Sequence, residues 1–155
     1  MKPPGSKSIT NRAIVCAALA TGTSHLSGVL DSEDTQVMIA AWQQLGLTLQ
    51  HDTAADELHI EGCGGKLNAP PTELFIGNSG TTIRFLTAAL AACGGQYQLD
   101  GVPRMRERPI GDLLAALRQL GCQVTSLNAQ HGDCPPVAIH SSGMRGGRAT
   151  VAGNI

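Results

Sequence analysis

Ile39-Ala-Ala-Trp-Gln-Gln-Leu-Gly-Leu-Thr-Leu49 returns 75 residues later as Leu114-Ala-Ala-Leu-Arg-Gln-Leu-Gly-Cys-Gln-Val124. Each copy is a helical run closed by glycine and followed by alternating, strand-like residues. Upstream, Gly5 to Arg12 aligns with Gly77 to Arg84 at an offset of 72. Both segments enter Ala/Leu-rich stretches, and both then reach a Gly-Val pair, Gly28-Val29 and Gly101-Val102. A period of this length exceeds the common solenoid repeats and suits a subdomain.

The first copy reads as a helix over 11–20 with Gly22 as its stop, then a strand over 24–29. Asp31 to Asp34 supplies caps and acidic residues suited to the N-terminus of a second helix, which runs to about Leu45 and stops at Gly46. Strands follow at 47–50 and 57–61. The second copy repeats this order, with a strand over 73–76 feeding in ahead. Thr81 or Thr82 is expected to cap its first helix. Pro109 is expected in the first turn of its second helix, which stops at Gly121. The class is α/β with a mixed sheet. Unit one covers about 1–72 and unit two about 73–147. A third unit begins at 148–155, with an entering strand at 148–152 and Gly153-Asn154 repeating Gly77-Asn78. The expectation is a fragment of a longer protein.

Composition narrows the function. Of 155 residues, 42% are hydrophobic and 15% charged, enough apolar material for a packed core. Eleven basic residues face twelve acidic ones, so no basic excess points to nucleic acid. Trp42, Phe75, Phe85 and Tyr97 are the whole aromatic set, too few for base-stacking platforms. The most apolar stretch, 85–93, is far short of the ~20 residues that cross a membrane. The opening residues lack a signal-peptide pattern, and the chain reads as a soluble cytoplasmic protein or part of one. Five cysteines without C-x-x-C spacing read as buried, reduced thiols. The histidines, His25, His51, His59, His131 and His140, form no sequence cluster and read as surface or strand residues rather than metal ligands.

Three segments can carry chemistry. Gly5-Ser6-Lys7-Ser8 opens a helix, where free N–H groups and the helix dipole favour an anion. Lys7 adds a charge and Ser8 a hydroxyl, and Arg12 lies one turn further on. The glycine spacing is not that of a nucleotide-binding P-loop. Gly77-Asn78-Ser79-Gly80-Thr81-Thr82 occupies the matching place, with Arg84 matching Arg12. Arg104-Met105-Arg106-Glu107-Arg108-Pro109 concentrates arginine, which suits phosphate and carboxylate.

Together, 4–12, 77–84 and 104–111 strongly resemble the 5-enolpyruvylshikimate-3-phosphate (EPSP) synthase family, and the resemblance extends along essentially the whole chain. It implies the enolpyruvyl transferase fold, an inside-out α/β barrel of repeated βαβαββ units with helices packed inward. Two units and the start of a third would be present, with the second domain absent. It implies transfer of the enolpyruvyl group of phosphoenolpyruvate to the 5-hydroxyl of shikimate 3-phosphate, by addition and elimination, in the shikimate pathway to chorismate and aromatic amino acids. It implies no metal and no organic cofactor, small-molecule substrates with no nucleic acid or membrane as partner, and glyphosate as an inhibitor. By the same resemblance Lys7 would be catalytic and touch both substrates. Ser8 and Arg12 would bind shikimate 3-phosphate, and Asn78, Gly80 and Arg108 phosphoenolpyruvate. The family's Ser-Ser-Gln element and its acidic base would lie in the remainder of the chain, which is needed to complete the site. Two readings compete. The sister enzyme acting on UDP-N-acetylglucosamine typically carries Lys-Asn in its first loop and a reactive Cys in its mobile loop. Here Lys7 is followed by Ser8, and 104–111 holds no Cys. A non-catalytic phospho-ligand module with the same fold is the other.

Overall fold

The computed structural model describes residues 5–151. Helix α1 (Lys7–Leu19) begins four residues earlier than expected, because Ser6 caps it by accepting from the Ile9 amide at 3.5 Å. It ends without glycine. Ala20 turns extended, and Gly22, at φ 83°, lies inside strand β1 (Thr21–Ser27) rather than at the helix stop. Helix α2 (Glu33–Gln44) starts after Ser32, whose hydroxyl accepts from the Thr35 amide, and ends before Gly46, at φ 92°. Strands β2 (Leu49–Asp52) and β3 (Glu57–Cys63) complete the first copy.

The second copy adds β4 (Thr72–Phe75), then α3 (Gly80–Cys93), β5 (Gly95–Asp100), α4 (Gly111–Gln119), β6 (Gln123–Ser126) and β7 (Val137–Ser141). Ser79 caps α3, accepting from the Thr82 amide at 3.3 Å, so neither Thr81 nor Thr82 is the cap. Pro109 sits outside α4, whose N-cap is Ile110; a 3-10 turn over Met105–Glu107 occupies the loop before it.

The first sheet has the order β1-β3-β2 and the second β4-β5-β7-β6. Since β1, β3 and β2 answer to β5, β7 and β6, one topology is used twice. The parallel pairing of β4 with β5 makes the second sheet mixed. The first is wholly antiparallel among the described residues. Residues 148–151 form no strand, against expectation. The backbone of Thr150 is instead held through both its N–H and its C=O by the side-chain amide of Gln119, at 2.9 and 3.0 Å. The rest of the expected third-unit start, 152–155, lies outside the described residues.

Alternation decides which faces are buried. Leu58 and Ile60 of β3 point inward, as do Leu99 of β5 and Ile139 of β7, all at 0% exposure. They meet Ile14, Met38, Trp42, Leu86 and Leu90 from the helices in one continuous core. Full burial of such side chains contributes about 1.5–3 kcal/mol each. Helices α1, α2 and α3 pack against one another with the sheets outside them. Cys122 and Cys134 are buried and Cys63 and Cys93 half-buried, all as free thiols. Cys16 is exposed, contrary to the sequence reading, because Ile14, Ala17 and Ala18 take the inward face of α1.

Candidate active site

The two inward helices α1 and α3 start side by side, and a cleft of about 340 Å³ opens over their N-termini. Its lining includes Lys7, Ser8, Arg12, Asn78, Gly80 and Arg108, all six site residues expected from the sequence. Asp34, Thr81, Arg84 and Phe85 complete it. Neither α1 nor α3 carries an acidic residue in its first turn, whereas α2 carries Glu33 and Asp34. The positive ends of two helix dipoles therefore face the cleft without a neutralising carboxylate of their own.

The side chains are held in different ways. Arg12 folds back onto its own helix, donating to the Ser8 carbonyl at 2.9 Å and to the Ser8 hydroxyl. Its guanidinium lies 5.3 Å from the Phe85 ring centroid, a cation–π contact from α1 to α3. Lys7 pairs with Asp34 at 2.7 Å. Burial pushes the Asp34 carboxyl upward, but hydrogen bonds from Lys7 and Ser79 and the charges of Lys7 and Arg108 outweigh it, and its pKa lies below the ordinary 3.8. Arg108 reaches back across the cleft to donate to the Asn78 carbonyl at 3.2 Å.

Gly80 is what lets Arg108 come this close. A Cβ at position 80 would lie 2.5 Å from one guanidinium nitrogen of Arg108 and 2.7 Å from its central carbon. Gly101 does the same for the backbone: a Cβ there would lie 2.2 Å from the Gly77 carbonyl oxygen. That approach lets the Val102 amide donate to the Gly77 carbonyl at 3.1 Å, tying the loop that carries Asn78 to the loop that carries Arg108.

The arginine cluster does not act as a unit. Arg104 pairs with Glu107 at 2.5 Å, and Arg106 pairs with Asp100 at 2.9 and 2.5 Å. The 3-10 turn splays the three side chains, and among them only Arg108 lines the cleft. Arg118 donates to the Val124 carbonyl, away from the site. Arg84 lines the cleft but is committed to the Gly80 and Pro109 carbonyls at 2.9 and 2.8 Å. Burial, and then the neighbouring Arg108, lower its pKa. It is also not a strict counterpart of Arg12. The caps Ser6 and Ser79 are 73 residues apart, so Arg84 sits one position nearer its cap.

A model of the EPSP synthase (3-phosphoshikimate 1-carboxyvinyltransferase) family matches residues 1–155. The chain belongs to the EPSP synthase family. The 3-phosphoshikimate 1-carboxyvinyltransferase of Nitrosomonas europaea is 47% identical over 152 residues, which are 98% of this chain and 35% of that protein. The chloroplastic enzyme of Brassica napus is 44% identical over 163 residues, covering 100% of this chain and 31% of its own length. The solved EPSP synthase of Acinetobacter baumannii superposes with a TM-score of 0.84 at 31% identity, over 92% of this chain and 32% of that one. The chain thus spans about a third of the relatives it matches. The fold is the inside-out α/β barrel of these enzymes. Membership of this family disfavours the sister-enzyme reading.

Sequence reasoning missed Asp34 and Gly101 as contributors to this site. Asp34 was visible only as a helix-start acid, and Gly101 only as a landmark of the repeat.

Proposed function

We propose that this chain supplies part of the substrate site of a 3-phosphoshikimate 1-carboxyvinyltransferase. The 5-hydroxyl of shikimate 3-phosphate gives up its proton as its oxygen bonds to the enol carbon of phosphoenolpyruvate, while the methylene carbon takes a proton. Loss of phosphate and of a methyl proton then restores the double bond in the product. Ser8 and Arg12 hold shikimate 3-phosphate; Asn78, Gly80 and Arg108 hold phosphoenolpyruvate; Lys7 touches both and is the catalytic group from this chain. Small molecules are the ligands, with no nucleic acid or membrane, and the cytoplasm is the compartment. On the family resemblance no metal or organic cofactor takes part. Among the described residues no helix is long and apolar enough to cross a membrane.

The observation that carries this reading is the meeting of Lys7, Ser8, Arg12, Asn78, Gly80 and Arg108 over two helix N-termini. Two anionic substrates repel each other, and cations with oriented N–H groups offset that repulsion in advance. Holding both in one cleft makes the addition effectively unimolecular. The acidic base expected of the family belongs to the remainder of the protein, so this chain alone should release negligible phosphate from the substrate pair.

The test is an NMR titration with shikimate 3-phosphate, using unphosphorylated shikimate as control. Saturable shifts at Lys7, Ser8 and Arg12, much weaker with shikimate, are expected. A folded chain whose α1 N-terminus responds equally to both ligands, or to neither, would overturn the assignment.

A further inference from the structure

His25 and His59 are 34 residues apart in sequence and adjacent in space. They are register partners on β1 and β3, and their rings stack with centroids 4.3 Å apart and planes 7° apart. Glu57 lies two residues before His59, hence on the same face of the sheet. Its carboxylate oxygen is 3.3 Å from His25 Nε2. One ligand atom from each of the three lies within 4.8 Å of the other two. This is the outer face of the first sheet; the inward residues of β3, Leu58 and Ile60, are fully buried on the side that packs against the helices.

We propose that His25, Glu57 and His59 form a surface binding site for a borderline transition-metal dication of the Zn²⁺ class. Two imidazoles and one carboxylate are the donors such ions prefer, whereas Mg²⁺ and Ca²⁺ favour all-oxygen shells. Tetrahedral ligands held at about 2.1 Å from the ion lie about 3.4 Å from each other, a spacing that rotations of exposed side chains can reach here. The backbone already sets the spacing. β3 is paired on both sides, to β1 and to β2, so the partners cannot drift apart without breaking ladder hydrogen bonds. The fourth position faces solvent and takes water. A bound ion would fasten the exposed strand β1 to β3, on the opposite side of the sheet from the helices that form the cleft. The site is independent of the proposed transferase chemistry.

Two imidazoles also stack without an ion as an ordinary cross-strand pair, and the experiment separates the two cases. The reduced chain is titrated with Zn²⁺ by calorimetry, with imidazole nitrogen resonances followed by NMR. Because Cys16 is exposed and competes for zinc, both are done in a Cys16→Ser background. One saturable site is expected, with shifts at His25 and His59 and none at His140. His25→Gln and His59→Gln should each weaken binding at least about tenfold, since even losing an outer-shell partner costs that much. His140→Gln should bind as the parent does. The replaced side chains are all exposed, and an unchanged amide spectrum verifies the fold of each variant. The thermal midpoint should rise with Zn²⁺ in the parent and not in His59→Gln. Unaltered affinity in either cluster variant, no saturable binding, or equal competition by Mg²⁺ would overturn the site.

Discussion

Replacing Gly80 with alanine should separate binding from stability. An ordinary contact begins at 3.4 Å, while the new methyl would start 2.5 Å from the nearest Arg108 nitrogen, so the guanidinium must retreat by about 0.9 Å. It can do so, because the clash is with the far end of a flexible side chain and not with backbone. The fold should therefore survive. It should even gain about 0.4–1 kcal/mol, as an alanine at a compatible helical position narrows the unfolded ensemble. Binding should move the other way. Shifting a unit charge from about 3 to about 4 Å from an anion at an effective dielectric of 20 weakens the attraction by about 1.4 kcal/mol, or tenfold in affinity. The assay is a paired one: urea denaturation for stability, and NMR titration with phosphoenolpyruvate for binding. Equal phosphoenolpyruvate affinity in Gly80→Ala and parent would refute the link between the missing Cβ and the placement of Arg108. In the full-length enzyme the same substitution should weaken inhibition by glyphosate, and unchanged inhibition would count against that extension.

Other outcomes follow from single features. Gly101→Ala drives a methyl into the Gly77 carbonyl, which is backbone and cannot swing away. Stability should fall by about 1–3 kcal/mol, read as a lower urea midpoint at constant m-value. The depressed pKa of Asp34 contributes stability that is present above the unfolded-state pKa and lost as pH falls through the folded one. The stability gap between parent and Asp34→Asn should be flat above about pH 5 and narrow progressively below it; a gap constant down to low pH would contradict the pairing. Burial, with Cys63 beside it, pushes the Cys93 thiol up to about 11. At pH 8 only about one thiol in a thousand is then ionised there, so iodoacetamide followed by mass mapping should mark exposed Cys16 well before Cys93.

Helix ends and the order of elements were legible because they rest on local chemistry. Ser32 and Gly46 bound α2 through a hydroxyl and a positive φ, and both effects act within a few residues. The reading misplaces the start of α1 because Ser6 is itself an adequate cap, and of the strand expected over 148–152 the described part, 148–151, finds no strand partner among the described residues. Five of the six binding candidates were legible for another reason: Lys7, Ser8, Arg12, Asn78 and Gly80 sit in compact motifs at the starts of α1 and α3, which the repeat makes equivalent, while Arg108 comes from the arginine-rich loop before α4.

Contacts made across the chain were not legible. Three arginines in five residues look like one cationic patch, yet the 3-10 turn and the nearby acids Asp100 and Glu107 leave Arg108 alone to face the cleft. Asp34 reads as a helix-start acid until folding brings Lys7 within 2.7 Å. His25 and His59 read as unrelated strand residues until the register of β1 on β3 stacks them. The sequence alone determined the repeat, the α/β class and the anion-seeking helix starts, since each depends on side-chain chemistry and spacing along one segment. Which charges meet, which cancel and which stay free was decided by tertiary structure, because electrostatic partners are chosen by distance in space and that distance does not exist until the sheets and helices have packed.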